Sequence, residues 1–346
     1  MMMYLYIVAG LVLLFLGGEA LVRGAVSIAR SLRVSELIIG AVLVGFGTSM
    51  PEMVTSLEAI QMDAVGIAVG NVVGSNIANI LLVLGVAALL SPIVTHPSML
   101  ARDTTIMILV TIGFCVLLWI DMFTREVGIG MVALLALYIV GSILLDRRGS
   151  DAADLHADEA EAVDVHDPLI LSIPIALAGV AGVIFGAKFL VEGGVDLART
   201  FGVSETVIGL SIVAIGTSLP ELATSAVSAL KGKSDVALGN VLGSNIFNIL
   251  FIIGVAAIIH PFSVFQPFRA AEGFGYGEGQ PGDAQGDVLL PIISWEHIGA
   301  LILSVFLLLL FAFTGRKLSR WEGAVMLVAY GIYLGMVFDF VPTLAR

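Results

Sequence analysis

The sequence predicts an all-α polytopic membrane protein: ten transmembrane helices in two inverted five-helix repeats, with broken helices meeting at a central site. Three observations predict it. The 346-residue chain is 58% hydrophobic and only 13% charged, with a mean hydropathy of +1.05, and apolar runs of about 20 residues follow one another from Tyr4 onward, long enough to cross the hydrocarbon. The chain also repeats itself: GTSMPE and then GNVVGSNIANIL within 47–81 return as GTSLPE and GNVLGSNIFNIL within 216–250, at an offset of 169 residues. Across 34–88 and 203–257 the copies align without a gap and share 28 of 55 positions. Finally, both copies keep carboxylate, hydroxyl and amide groups inside apolar spans, where such groups are expensive and therefore functional by default.

Spans between polar breaks place helices near 4–29, 36–60, 65–91, 103–120, 126–145, 168–198, 205–230, 235–259, 294–314 and 321–341. The opening MMMYLYIVAGLVLLFLGGEALV has no basic leader and no small-residue cleavage pattern, so it reads as a retained first helix. Residues 1–145 form the first repeat and 168–346 the second, and five spans per repeat turn the second copy upside down. Lysines and arginines set the orientation. Arg30, Arg33, Arg102, Arg147, Arg148, Lys231, Lys233, Arg316, Lys317 and Arg320 fall on one side, against Arg125, Arg199, Arg269 and Arg346 on the other. The basic side is cytoplasmic, so both termini lie outside a multi-pass cell-membrane protein.

Between the repeats, 146–167 is an acidic cytoplasmic linker, poor in large apolar residues and without the DxDxDG spacing of a calcium loop. The connection 261–291 is Gly-rich and external. These two segments carry much of the net charge of −12, which disfavours nucleic acid as a partner. No protein partner is implied; the bilayer is the solvent. The single Cys115 excludes an intramolecular disulfide. His96, His156, His166, His260 and His297 all sit in or beside connections, and no GxGD, HExxH or Ser–His pair lies within a span, so enzyme chemistry and a bound cofactor are not expected.

The candidate site emerges from proline and acid placement. Pro51 and Pro220 lack the N–H that would bond to the carbonyls of Gly47 and Gly216, so each breaks its helix in mid-span. Bare carbonyls survive there only if protein, water or an ion satisfies them. Glu52 and Glu221 come directly after the prolines, with no Lys or Arg near mid-span to pair them. The next helix in each copy adds Ser75 with Asn79, and Ser244 with Asn248, at i and i+4 on one face. Gly70, Gly74, Gly239 and Gly243 form small-xxx-small patterns for close helix contact. Asn71, Asn76, Asn240 and Asn245 either bond the broken backbone or line an ion path. Carboxylate, hydroxyl, amide and carbonyl oxygens without thiolate or imidazole suit a hard cation, Ca2+ before Mg2+, with Na+ able to use the same groups.

At these residues the chain resembles the calcium/cation antiporter superfamily, in particular its prokaryotic sodium/calcium exchanger branch, whose paired signature is GTSxPE followed by GNxxGSNIxN. The resemblance covers essentially the whole chain, including the glycine-rich flanking helices at 17–29 and 186–198 and the VSE starts at 34–36 and 203–205. It implies exchange of Ca2+ for Na+ by alternating access, with long first and sixth helices sliding across the core. The alternative within the same fold is a Ca2+/H+ antiporter; a passive cation channel is a further one. Carried over by motif, the resemblance implies ion ligands at Thr48, Ser49, Glu52, Ser75 and Asn79, and at Thr217, Ser218, Glu221, Ser244 and Asn248, with backbone carbonyls from Gly45 and Ala214. One departure stands out. Several exchangers of this type carry Asp where this chain has Asn248, which leaves two central carboxylates here.

Overall fold

A computed structural model of the chain describes residues 2–32, 34–61, 65–94, 97–148, 168–200, 214–268, 288–291, 295–315 and 317–344. Outside them fall 149–167 of the expected linker, 269–287 of the Gly-rich connection, the first part of the expected 205–230 span, and His96, His156 and His166. The described chain is almost entirely helical. Its helices are α1 (Met2–Leu32), α2 (36–48), α3 (Met50–Gln61), α4 (Val65–Leu90), α5 (Pro97–Ile120), α6 (Arg125–Arg148), α7 (Leu169–Thr200), α8 (Ala214–Thr217), α9 (Leu219–Leu230), α10 (Ser234–Ile259), α11 (Trp295–Gly315) and α12 (Arg320–Leu344). Two short antiparallel ladders tie connections together: β1 (Ile93–Val94) with β4 (Lys317–Leu318), and β2 (Phe265–Phe268) with β3 (Val288–Pro291). The second closes the ends of the Gly-rich connection, a pairing that its composition did not reveal.

Among the described residues, six helices are long and apolar enough to cross a membrane: α1, α4, α6 and α10, with the segments Arg102–Ile120 of α5 and Leu169–Gly194 of α7. Their burial sorts them into two shells. The apolar windows of α4 and α10 are 78% buried, whereas the other four are 22–39% buried, so the two helices that carry the GSN motifs form the centre and the rest face outward. The outward faces are apolar, with Trp119, Leu137 and Ile170 each more than two-thirds exposed. Such surfaces are those of a protein solvated by lipid.

Helices α1 and α7 run antiparallel and touch through glycines. A Cβ on Gly10 would stand 2.7 Å from the backbone nitrogen of Leu190, and one on Gly179 would stand 2.3 Å from that of Leu21. These two contacts are each other's images under the 169-residue offset. Lipid tails offer helices no hydrophobic incentive to associate, so close backbone approach through small residues supplies the dispersion contact that holds the pair. The pair forms an apolar cluster with α2 and the facing ends of α9 and α10, separate from the larger cluster around α4, α5, α10 and α11.

Among the described residues, three helices contain wide, π-type turns: Gly40–Val44 in α2, Asn79–Val83 in α4 and Asn248–Ile253 in α10. An extra residue per turn rotates the remainder of the helix and leaves backbone groups out of the regular ladder, and such turns concentrate at functional positions. The latter two begin at the sequence-selected asparagines. As the mid-span prolines predict, the 36–60 span is broken: the chain leaves the helix at Ser49 between α2 and α3, and the equivalent break falls at Ser218 between α8 and α9.

Candidate functional site

The two breaks place a short helix end and the start of another helix against the central pair α4 and α10. Thr48, Ser49, Glu52, Ser75, Asn79, Ser218, Glu221, Ser244 and Asn248 are all buried. Thr217 is half-buried, and Ala214 opens α8. The acids come from opposite copies yet lie close enough to interact electrostatically. Among the described residues, no group of three His, Cys, Asp or Glu side chains gathers anywhere, so the fixed negative charge here is that of two carboxylates.

Cross-copy hydrogen bonds hold the site together. Ser49 Oγ donates to Glu221 Oε1 at 2.9 Å. Thr48 Oγ1 donates to Asn240 Oδ1 at 3.1 Å, and Asn240 Nδ2 in turn donates to the Glu221 carbonyl at 3.2 Å and to Ser225 Oγ at 2.8 Å. In the first copy Asn71 Nδ2 makes the same pair of bonds, to the Glu52 carbonyl at 3.2 Å and to Ser56 Oγ at 2.9 Å. Of the two roles open to Asn71 and Asn240, these bonds match the backbone one: the amides brace the helix just past each proline. Ser56 and Ser225 escaped the sequence reading, although both belong to a TS pair kept in both copies at the same offset.

Asn76 and Asn245 lock α4 to α10. Asn76 Nδ2 donates to the Asn245 carbonyl and Asn245 Nδ2 to the Asn76 carbonyl, each at 3.4 Å. Their own side-chain oxygens accept from the neighbouring candidates: Asn79 Nδ2 donates to Asn245 Oδ1, and Asn248 Nδ2 to Asn76 Oδ1, both at 3.1 Å. With each NH2 group committed, the amide orientation is fixed by the network. Asn79 and Asn248 therefore turn their oxygens away from the lock.

Those oxygens meet no donor. Asn79 Oδ1, Asn248 Oδ1, Ser218 Oγ, Glu221 Oε2 and both carboxylate oxygens of Glu52 are buried without a hydrogen bond of good geometry. A buried polar atom left unsatisfied costs about 1–3 kcal/mol, more when charged, and native interiors hold few of them. Five of these six are amide or carboxylate oxygens that can only accept from a donor or bind a cation, and they come from the repeated motifs of both copies, which makes an electron-rich cage. The carbonyl of Gly45, which the resemblance implies as a ligand, already accepts from Ser49 N at 3.1 Å and Ser244 Oγ at 3.2 Å, with Thr48 Oγ1, the donor to Asn240, 3.3 Å away. Ser244 is thereby turned toward α2. A Cβ on Gly243 would fall 2.2 Å from the Ala41 carbonyl oxygen, so glycine there is what admits α2 to this contact.

A cavity of about 570 Å³ lies between α3 and α7 and reaches Met50, Pro51, Gly216 and Thr217, with Glu192 and Lys188 of α7 in its wall. On the related face of the first copy, α1 is packed down: Gly18 lies against Val227 and Ala223 of α9, and Glu19 bonds Lys231 Nζ at 2.8 Å. At these places two halves of similar sequence thus stand in different arrangements.

Comparison with known proteins agrees with this architecture. The family model described as sodium/calcium exchanger protein matches residues 2–144 and 171–338. The chain is 32% identical over 372 residues to the sodium/calcium exchanger MaX1 of Methanosarcina acetivorans, covering 97% of this chain and 98% of the relative. It is 35% identical over 257 residues to the inner membrane protein YrbG of Escherichia coli, covering 74% and 79% of the two chains. A solved structure of the sodium-calcium exchanger NCX_Mj, soaked with 10 mM Na+ and no Ca2+, superposes with a TM-score of 0.75 at 30% identity over 96% of this chain and 98% of that one. With its repeated acid and amide motifs, its central helices and near full-length matches of this kind, the chain belongs to the sodium/calcium exchanger protein family.

Proposed function

We propose that this protein is a secondary active transporter that exchanges Ca2+ for Na+ across the cell membrane by alternating access. The carrying observation is the cage of unpartnered acceptor oxygens, drawn from both copies around Glu52 and Glu221. Two carboxylates neutralise one Ca2+, and the surrounding neutral oxygens supply a coordination number that Ca2+ accepts with flexible geometry. Thr48, Ser49, Ser75, Thr217, Ser218 and Ser244 complete the ligand set with the carbonyls of Gly45 and Ala214. Na+ uses the same oxygens, so the two ions exclude each other, and exclusion is what couples their fluxes. A ligand shifts a two-state equilibrium only by its differential affinity for the states, so the loaded site favours closure whereas the empty, doubly negative site opposes it.

The reading extends to the whole chain as ten spans in two inverted five-helix repeats, 1–145 and 168–346, joined by a cytoplasmic linker at 146–167, with both termini outside. Reciprocal contacts at an offset of 169 between α1 and α7, and between Asn76 and Asn245, support an inverted relation. In this orientation the cavity beside α7 opens outward. A Ca2+/H+ antiporter remains the second reading, favoured by Asn248, which limits the cage to two carboxylates that protons could neutralise.

The deciding experiment is Ca2+ uptake into proteoliposomes under an outward Na+ gradient, an outward H+ gradient or neither, with Glu52→Gln as the control. Uptake driven by Na+ and lost in the variant supports the proposal. Uptake driven by H+ alone selects the second reading, and gradient-independent flux selects a channel.

A further inference from the structure

Helices α1 and α7 hold equivalent places 169 residues apart, so Glu19 of α1 corresponds to Lys188 of α7. Each faces a helix of the opposite copy, α1 facing α9 and α7 facing α3. On the α1 side the two helices touch. A Cβ on Gly18 would lie 3.2 Å from Val227 Cγ2 of α9, and Glu19, the next residue, accepts a bond from Lys231 Nζ at 2.8 Å. Val227 and Lys231 are i and i+4, so the apolar contact and the ion pair share one face at the end of α9. The backbone fixes where the ammonium starts. Lys231 N bonds the Val227 carbonyl at 3.0 Å, Gly232 takes φ +71°, and Lys233 N closes the turn on the Ser228 carbonyl at 2.8 Å; a left-handed residue there ends the helix with least strain when it is glycine.

On the α7 side the arrangement differs. Lys188 meets Glu192 of its own helix at 3.8 Å, and both line the cavity that separates α7 from Val54 and Thr55 of α3. Val54 is the equivalent of Ala223, whose carbonyl oxygen would lie 3.6 Å from a Cβ on Gly18. The cavity therefore lies where the other half has its helix contact. The place of Lys231 is taken in sequence by Met62, which carries no charge. The cross-helix ion pair thus accompanies the packed arrangement.

We propose that Glu19 and Lys231 form a latch that holds α1 on α9 and breaks each time the two halves exchange arrangements. The inference rests on the alternating-access reading of the protein. An interaction made in one arrangement and lost in the other shifts the equilibrium between them by its full differential strength. Arg23 lies one turn along the same helix as Glu19, so their proximity does not change between arrangements. Exposure makes the latch reversible. The Glu19 and Lys231 side chains are 46% and 39% exposed, so water takes over each charge when the bond opens, whereas a buried pair would leave an uncompensated charge behind. The strength is accordingly that of a surface pair, a few-fold in the equilibrium.

The test uses the full chain, purified in detergent in a Cys115→Ala background, with Ala223→Cys beneath α1 or Val191→Cys in the cavity of α7 as the reporter. Reaction with a maleimide gives a rate at each. Glu19→Gln and Lys231→Gln should each raise the ratio of the Ala223→Cys rate to the Val191→Cys rate about threefold. The charge-swapped pair, Glu19→Lys with Lys231→Glu, should return the ratio close to that of the parent. In a second arm, Glu19→Cys and Lys231→Cys joined by a short reducible cross-linker should stop gradient-driven Ca2+ uptake in proteoliposomes, with recovery on reduction. An unchanged ratio in both glutamine variants, or no return in the swapped pair, overturns the proposal, and so does undiminished uptake with the cross-linker in place. Failure of the exchanger reading shows separately: the Cys115→Ala parent then lacks gradient-driven uptake before either latch residue is changed, and the labelling ratio still decides the latch.

Discussion

At the scale of single residues, the site is a balance between donors that are used and acceptors that are not. Glu52 shows this most sharply: it is fully buried, without a hydrogen bond of good geometry to either carboxylate oxygen. If a cation completes it, Glu52→Gln removes one of two compensating charges. Breaking one side of a buried ion pair costs about 3 kcal/mol or more, so Ca2+ affinity should fall at least about 100-fold. Isothermal titration of the purified variant measures this directly, and unchanged affinity would place the cation elsewhere. Asn245 acts at one remove. Asn245→Ala deletes the acceptor that holds the Asn79 amide and frees Asn79 Oδ1 to rotate away. The expected loss is about fivefold to tenfold in affinity, the worth of one net hydrogen bond of about 1 kcal/mol. Asn76→Ala should match it, because the same bond is made from the other copy.

Among the helical elements, α1 and α7 carry the clearest steric requirement. Any side chain at Gly179 meets the backbone of Leu21 rather than a flexible side-chain end, so Gly179→Leu must push the two helices apart. The expected outcome is a protein that inserts in the membrane but loses thermal stability in detergent and gradient-driven transport. By contrast Gly299, where a Cβ would meet nothing within 4 Å, should accept Ala with little change. Thermal melting of both variants checks the pair, and equal melting temperatures would refute the contact as the reason for glycine. The π-type turns belong to this scale as well. Those in α4 and α10 each begin at a candidate ligand, and the extra residue gives that asparagine a direction the regular helix would not.

For the molecule as a whole, the decisive feature is asymmetry between halves of similar sequence. A cavity between α3 and α7 reaches the candidate ligand Thr217, whereas at the corresponding place in the other copy α1 rests on α9. In a Cys115→Ala background, Val54→Cys and Val191→Cys line that cavity and should react with a membrane-impermeant maleimide added outside intact cells. Ala223→Cys, against Gly18 on the closed side, should not. Reversal of this pattern would mean that the cavity opens to the cytoplasm, and with it that the orientation drawn from lysine and arginine is inverted. Addition of Ca2+ should slow labelling at Val191→Cys if loading favours closure.

Much of this protein was legible before any coordinates, for a definite physical reason. Hydrocarbon tolerates only satisfied backbone and scarce charge, so spans, mid-span prolines and the acids Glu52 and Glu221 stand out in a sequence where polar groups are rare. Duplication then paired each such residue with its counterpart. What the chain could not reveal is which donor serves which acceptor. Ser49 bonds Glu221 whereas Ser218 Oγ is left without a partner, and the Gly45 carbonyl, implied as a ligand, already accepts from Ser49 N and Ser244 Oγ; two near-identical motifs read the same in sequence whichever arrangement each adopts. Ser56 and Ser225 looked like ordinary helix residues until Asn71 and Asn240 were seen to reach them from another helix. The sequence by itself determined which oxygens lie in the membrane, because burial of polar atoms there is costly everywhere along the chain. Only the tertiary structure decided which of those oxygens are left for a cation, because that depends on how α4 and α10 cross and on which half is closed.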